Sequence, residues 1–133
     1  MMASFMPHTL LTYRYRDAAN FKANGEVLLS GEPTPELRRR LQASLIDSEY
    51  FIPEKVGLPS LREQLYQYSE GNPTDDDHLL HEFVELRPAS AEEAASLPVS
   101  SDLADLVARF EVNACRGWWT DAVELLDRLD LPL

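Results

Sequence analysis

Nine residues near the start of the chain, His-Thr-Leu-Leu-Thr-Tyr-Arg-Tyr-Arg from position 8, alternate in polarity. Thr9, Leu11, Tyr13 and Tyr15 share one face of an extended backbone, and Thr12, Arg14 and Arg16 share the other. A strand with one apolar face cannot stand alone, and even a pair of strands is only marginally stable. This run therefore obliges the chain to supply further strands and a layer that covers them. The nearest partner is Glu26-Val27-Leu28-Leu29-Ser30 within residues 21–30, with Asn24-Gly25 suited to positive φ beside it. An antiparallel ribbon over residues 8–16 and 24–30 follows.

The covering layer is helical. Thr34-Pro35-Glu36 reads as a helix start, with a capping hydroxyl, a proline preset for the first turn and an acid at the positive end of the dipole. Leu37, Leu41 and Leu45 then form one stripe, which predicts a helix over 35–46. Ser60-Leu61-Arg62-Glu63 has the form of a capping box and predicts a short helix over 61–68. Between them, residues 50–59 are apolar but broken by Pro53, Gly57 and Pro59, the composition of an ordered loop pinned to the core. Leu103, Leu106, Val107, Phe110 and Ala114 give an amphipathic helix over 102–116, with Gly117 as its C-terminal stop. Thr120 heads a last helix over 120–130, so the chain is expected to end in a helical hairpin. Residues 88–100 read as a connection with one turn after Ser90.

Residues 74–87 are where metal-type ligands concentrate, and their period decides the chemistry. As a helix, they would place His78, His81, Glu82 and Glu85 on one polar face at i, i+3, i+4 and i+7, close enough for two imidazoles and a carboxylate to meet one divalent ion. As a strand, they place His78, Leu80, Glu82, Val84 and Leu86 on one face and Leu79, His81 and Phe83 on the other, and the histidines part. The local pattern suits a helix, whereas the ribbon needs a third strand; the second requirement tips residues 79–87 to strand. His81-Glu82 opens like the zincin motif but carries Glu85 where the second histidine belongs. The aspartates at 75–77 lack the glycine and terminal glutamate of a calcium loop. No phosphate loop, dinucleotide fingerprint or nucleophile elbow occurs in the sequence.

Charge is distributed unevenly. Residues 1–69 hold eight acids and eight bases, residues 70–96 eight acids and one base, and residues 97–133 seven acids and three bases, so the net charge of −11 lies in the second half. A field of that sign repels phosphate backbones, which speaks against nucleic acid, and attracts a basic protein surface. The single cysteine, Cys115, forms no disulfide framework and reads as a small buried residue in its helix. No apolar run approaches the roughly 18 residues of a membrane span. The opening ten residues lack the basic and apolar regions of a signal peptide, so a cytoplasmic location is expected.

These readings converge on a single α+β domain over residues 1–133, with a small antiparallel sheet of about three strands, packed helices and a C-terminal helical hairpin. The expected function is that of a small acidic, non-enzymatic protein-interaction module, such as an inhibitor, immunity-type or adaptor protein, that docks on a basic partner. Trp118 and Trp119 are its candidate anchors, because tryptophan is enriched in interface anchors, and Asp121 and Glu124 are the acids beside them. The alternative is a divalent-metal-binding protein or metal-assisted hydrolase that uses Asp75, Asp77, His78, His81 and Glu82. A homodimer closed by the apolar loop at 50–52 is a third arrangement.

Overall fold

In a computed structural model that describes residues 6–132, the alternating run becomes β1 (His8–Arg16), paired antiparallel along its whole length with β2 (Lys22–Ser30). Expectations that touch residues 1–5, including the absence of a leader, lie outside the described residues. The turn between the strands is built by Asp17: its N–H bonds Phe21 O at 3.0 Å and its carboxylate accepts the Phe21 N–H at 2.9 Å. Positive φ falls on Asn20 (71°), not on Asn24-Gly25. That dipeptide lies inside β2, opposite Arg14 and Tyr13. Gly25 serves packing instead, because a Cβ there would stand 2.6 Å from Leu61 Cδ2.

Helix α1 (Pro35–Ser44) starts as its sequence requires, with Thr34 Oγ1 accepting the Leu37 N–H at 3.2 Å. A two-residue strand, β3 (Tyr50–Phe51), follows, and the apolar loop after it buries Ile52, Val56 and Leu58. Residues 61–68 do not form the expected helix. Ser60 Oγ accepts from Arg62 N at 3.2 Å rather than completing a box with Glu63, and the segment tightens into two 3₁₀ turns, Arg62–Gln64 and Tyr66–Tyr68.

The strand reading of the decisive segment holds as β4 (His81–Pro88), which pairs antiparallel with β1 and thereby makes β1 central. Its faces differ from simple alternation. Thr12 pairs with Glu85 and Tyr13 with Phe83, so Val84 is an extra, bulged residue. The bulge brings Leu86 onto the same side as Phe83 and His81, opposite Leu11, Tyr13 and Tyr15.

Among the described residues, two additions enlarge the expected three-stranded antiparallel sheet to five strands in the order β3-β4-β1-β2-β5, and make it mixed. β3 extends β4 at one edge, Phe51 opposite His81. β5 (Val99–Asp102) runs parallel to β2 at the other. The stretch before β5 holds α2 (Ala91–Ser96), opened by a reciprocal capping box between Ser90 and Glu93.

α3 (Leu103–Arg116) buries Leu103, Leu106, Val107 and Phe110 against the sheet and packs chiefly on α1. The C-terminal hairpin is therefore realised only in part: α3 is followed by α4 (Ala122–Arg128), but its main helical neighbour is α1. Trp118 joins the pieces. Its indole N–H donates to Ser44 O at 2.8 Å and its ring meets Phe110 edge-on at 5.6 Å. Thr120 does not cap α4; its hydroxyl donates to Arg116 O at 2.8 Å, and the N-cap is Asp121 in a left-handed conformation (φ 59°). Cys115 is exposed, on the polar side of α3, not buried as expected. No helix among the described residues is long and apolar enough to cross a membrane.

Candidate functional site

At the end of β1 the sheet meets the segment between the 3₁₀ turns and β4, and the junction is polar. Tyr15 is fully buried; its hydroxyl donates to Asp77 Oδ1 at 2.6 Å and accepts the His78 N–H at 3.2 Å. Burial, and then the bond to Asp77, raise the pKa of this phenol, so it stays a donor. Asp77 Oδ2 accepts the Thr74 N–H at 2.8 Å. His78 Nδ1 accepts the Leu80 N–H at 3.1 Å, which leaves Nε2–H to donate to Arg16 O at 2.7 Å.

His81 is held the opposite way round. Nε2 accepts the Leu61 N–H at 3.0 Å and Nδ1–H faces Leu79 O at 3.2 Å. Burial and the nearby Arg62 charge lower its pKa from the ordinary 6.5 to about 3, so the imidazole is neutral. Arg62, only 1% exposed, donates to His78 O at 3.2 Å and pairs with Glu54. Apart from Glu54 Oε1, which has no hydrogen-bond partner among the described residues, these groups are satisfied within the network, and together they fasten residues 60–81 to the sheet.

The predicted metal ligands are thus placed but not gathered into an open set. Asp77, His78 and His81 surround Tyr15, with both imidazole rings about 5 Å from its ring. Every nitrogen of the two histidines already faces a backbone group. Glu82 lies on the outer side of β4, paired with Arg16 at 2.9 Å and Arg14 at 3.8 Å. Asp75 is exposed. Among the described residues, no three such side chains stand where they could hold one ion.

Above this network lies a cleft that the sequence did not single out. Its two walls, the β1–β2 turn and the segment after the 3₁₀ turns, are joined by Ala18 N–H donating to Asp76 O at 3.0 Å. The inner recess, about 120 Å³, is lined by Asp17, Phe21, Leu65, Tyr66, Tyr68, Asp76 and Asp77, with Ser69 and Thr74. A wider recess of about 420 Å³ shares Phe21, Leu65 and Tyr68 and adds Lys22, Ala23, Gln64 and Gln67. Phe21 and Tyr68 are 61% and 77% exposed. Among the described residues, the Asp76 carboxylate bears neither a hydrogen bond nor an ion pair, and Asp17 uses only Oδ1. Tyr66 and Tyr68 stand two residues apart in the sequence; Phe21 and Asp17 join them only through the fold.

The tryptophan pair divides. Trp118 is 5% exposed and belongs to the core, whereas Trp119 is 53% exposed. Asp121 and Glu124 line a shallow recess with Leu125, Glu54, Lys55 and Arg128, and Trp119 is not among its lining residues. Phe51 and Ile52, from the loop considered for a homodimer, are buried in this chain's own core. No family model, curated protein or solved structure matches the chain.

Proposed function

We propose that this protein is a small acidic, non-enzymatic interaction module that docks on a basic protein partner, as an inhibitor, immunity-type or adaptor protein does. The observation that carries this reading is the charge left over after folding. Among the described residues, the ion pairs engage six arginines, Arg14, Arg16, Arg40, Arg62, Arg87 and Arg116, against five of the 23 acids. Internal pairing therefore removes more positive than negative charge from the surface, and the remaining field is available to a basic partner. The groups best suited to acid–base chemistry, His78, His81 and Tyr15, spend their hydrogen-bonding atoms on the fold. Trp119, close to Asp121 and Glu124 in sequence, is an exposed aromatic within the acidic second half.

The test begins with capture of a partner on the immobilised protein, followed by titration of the purified pair. Affinity is expected to fall about tenfold or more between about 0.05 and 0.5 M salt, with the loss mainly in the association rate. An affinity indifferent to salt, or a partner with an acidic contact face, overturns the reading.

A further inference from the structure

The geometry points to a specific contact: the recess between Phe21, Tyr66 and Tyr68 takes one arginine side chain from an extended segment of a partner protein, with its guanidinium paired by Asp76 and Asp17. This inference rests on the reading of the chain as a module for basic partners, and it places one contact away from Trp119.

Three features of the cleft select the occupant. First, the aromatic surface is uncovered, with Phe21 and Tyr68 more than half exposed and both lining the same recess. Second, free carboxylate oxygens stand among those rings, held there by the Ala18–Asp76 backbone bond and by the Asp17 carboxylate bond to Phe21 N–H. A purely apolar occupant would strip water from these carboxylates and return nothing, so the recess favours a group that brings N–H donors, and a positive one most, because it also pairs their charge. Third, the base is fixed, because Asp77 is tied to both Tyr15 and Thr74.

Arginine fits this combination better than lysine. A planar guanidinium lies flat on an aromatic face and donates to two carboxylates at once, whereas an ammonium is a compact and strongly hydrated point charge. Lys22, which lines the wider recess, sets the polarity of the cleft. Its ammonium disfavours a second cation at that end, so the residue of the bound segment that lies beside it is neutral or acidic.

The experiment is an NMR titration of the isotope-labelled full chain with N-acetyl-arginine amide, its lysine counterpart and the neutral citrulline counterpart. Saturable shifts confined to Phe21, Tyr66, Tyr68, Asp17 and Asp76 are expected with arginine. Lysine should bind at least about threefold more weakly, and citrulline should produce no saturable change. Asp76→Asn and Phe21→Ala should each abolish the arginine response, and Lys22→Ala should strengthen it. All three side chains sit at the surface, and an unchanged melting temperature verifies that each variant is folded. Equal shifts with lysine and arginine, shifts spread over the whole acidic surface, or a response that survives Asp76→Asn would overturn the proposal. If a purified basic partner binds with salt sensitivity but ignores Asp76→Asn and Phe21→Ala, the cleft is refuted while the interaction module stands. If arginine binds in the cleft but no partner association weakens with salt, the module reading fails and the local site survives.

Discussion

His81 accepts the backbone N–H of Leu61 at 3.0 Å through Nε2, so a side chain of the sheet closes the hydrogen bonding of a loop twenty residues earlier. The bond requires a neutral ring, and burial holds the ring neutral by lowering its pKa to about 3 from 6.5. Between those values the unfolded chain binds a proton that the folded chain does not. This histidine therefore makes stability rise with pH across that window, and its contribution is fully present above about 6.5 and lost progressively on acidification. The slope it adds is at most about 1.4 kcal/mol per pH unit. Urea unfolding of the native chain and of His81→Gln through that range should show a flatter pH dependence in the variant, together with lower stability at neutral pH. Parallel curves would show that His81 titrates alike in both states.

Tyr15 and Asp77 make a similar argument without a change of charge. Removing the hydroxyl in Tyr15→Phe leaves a 5%-exposed carboxylate without one of its donors and the His78 N–H without its acceptor. The expected loss is about 1–3 kcal/mol. Hydrogen exchange should localise the effect to residues 74–80, because this bond ties that segment to β1. A loss spread evenly over α1 and α3 would mean that Tyr15 acts through core volume instead.

Arg62 and Glu54 predict a contrast between one substitution and two. The guanidinium is 1% exposed and its partner 15%, while Glu54 Oε1 has no hydrogen-bond partner among the described residues. Breaking the pair with Arg62→Met strands a buried carboxylate and should cost about 3–5 kcal/mol. The double change Arg62→Met with Glu54→Leu should recover most of that loss, since two apolar groups of similar size demand no partner. Chemical denaturation of the three variants measures the coupling. Additive losses would show that the pair contributes through separate contacts.

Gly25 tests the packing of the 3₁₀ segment on the sheet. A Cβ there meets Leu61 Cδ2 at 2.6 Å, and Leu61 also donates its N–H to His81. Gly25→Ala should therefore cost about 1–3 kcal/mol through overpacking. Shortening the neighbour in Gly25→Ala/Leu61→Val should return part of it. If Gly25→Ala alone is neutral, the strand and the turn can separate without loss.

How far the fold could be read from the chain depended on whether the signal was local. The alternation of β1 and the Thr34 cap of α1 are each complete within one segment and appear as read, and the apolar stripe of α3 is buried at Leu103, Leu106, Val107 and Phe110, while Ala114, read as its last member, is exposed where the helix runs past the core. β5 has no such local signal, because Val-Ser-Ser-Asp lacks alternation and becomes a strand only by lying beside β2. The Val84 bulge exists only in the pairing of β4 with β1, so simple alternation misassigned Leu86 relative to His81. Arg62 stands in the run expected to form a helix over 61–68; the segment forms 3₁₀ turns instead, and Arg62 is buried against Glu54, more than five residues away in sequence. The cleft was the least legible part, since Asp17 and Phe21 are more than 40 residues from Tyr66 and Asp76 in sequence and only the docked turn brings them together.

The adjacent tryptophans carry the last prediction, because adjacency in sequence hides opposite environments. Trp118 packs its ring on Phe110 and gives its N–H to Ser44 O, linking the α3–α4 corner to α1. Trp118→Ala removes that contact from a core site and should cost about 3–5 kcal/mol. Trp119 is half exposed and should tolerate alanine within about 0.5 kcal/mol. Thermal unfolding distinguishes the two directly. If both substitutions are costly, Trp119 is a structural residue in solution and the acidic module loses its aromatic anchor. If Trp119→Ala is silent for stability yet weakens capture of a basic partner, that aromatic is retained for binding.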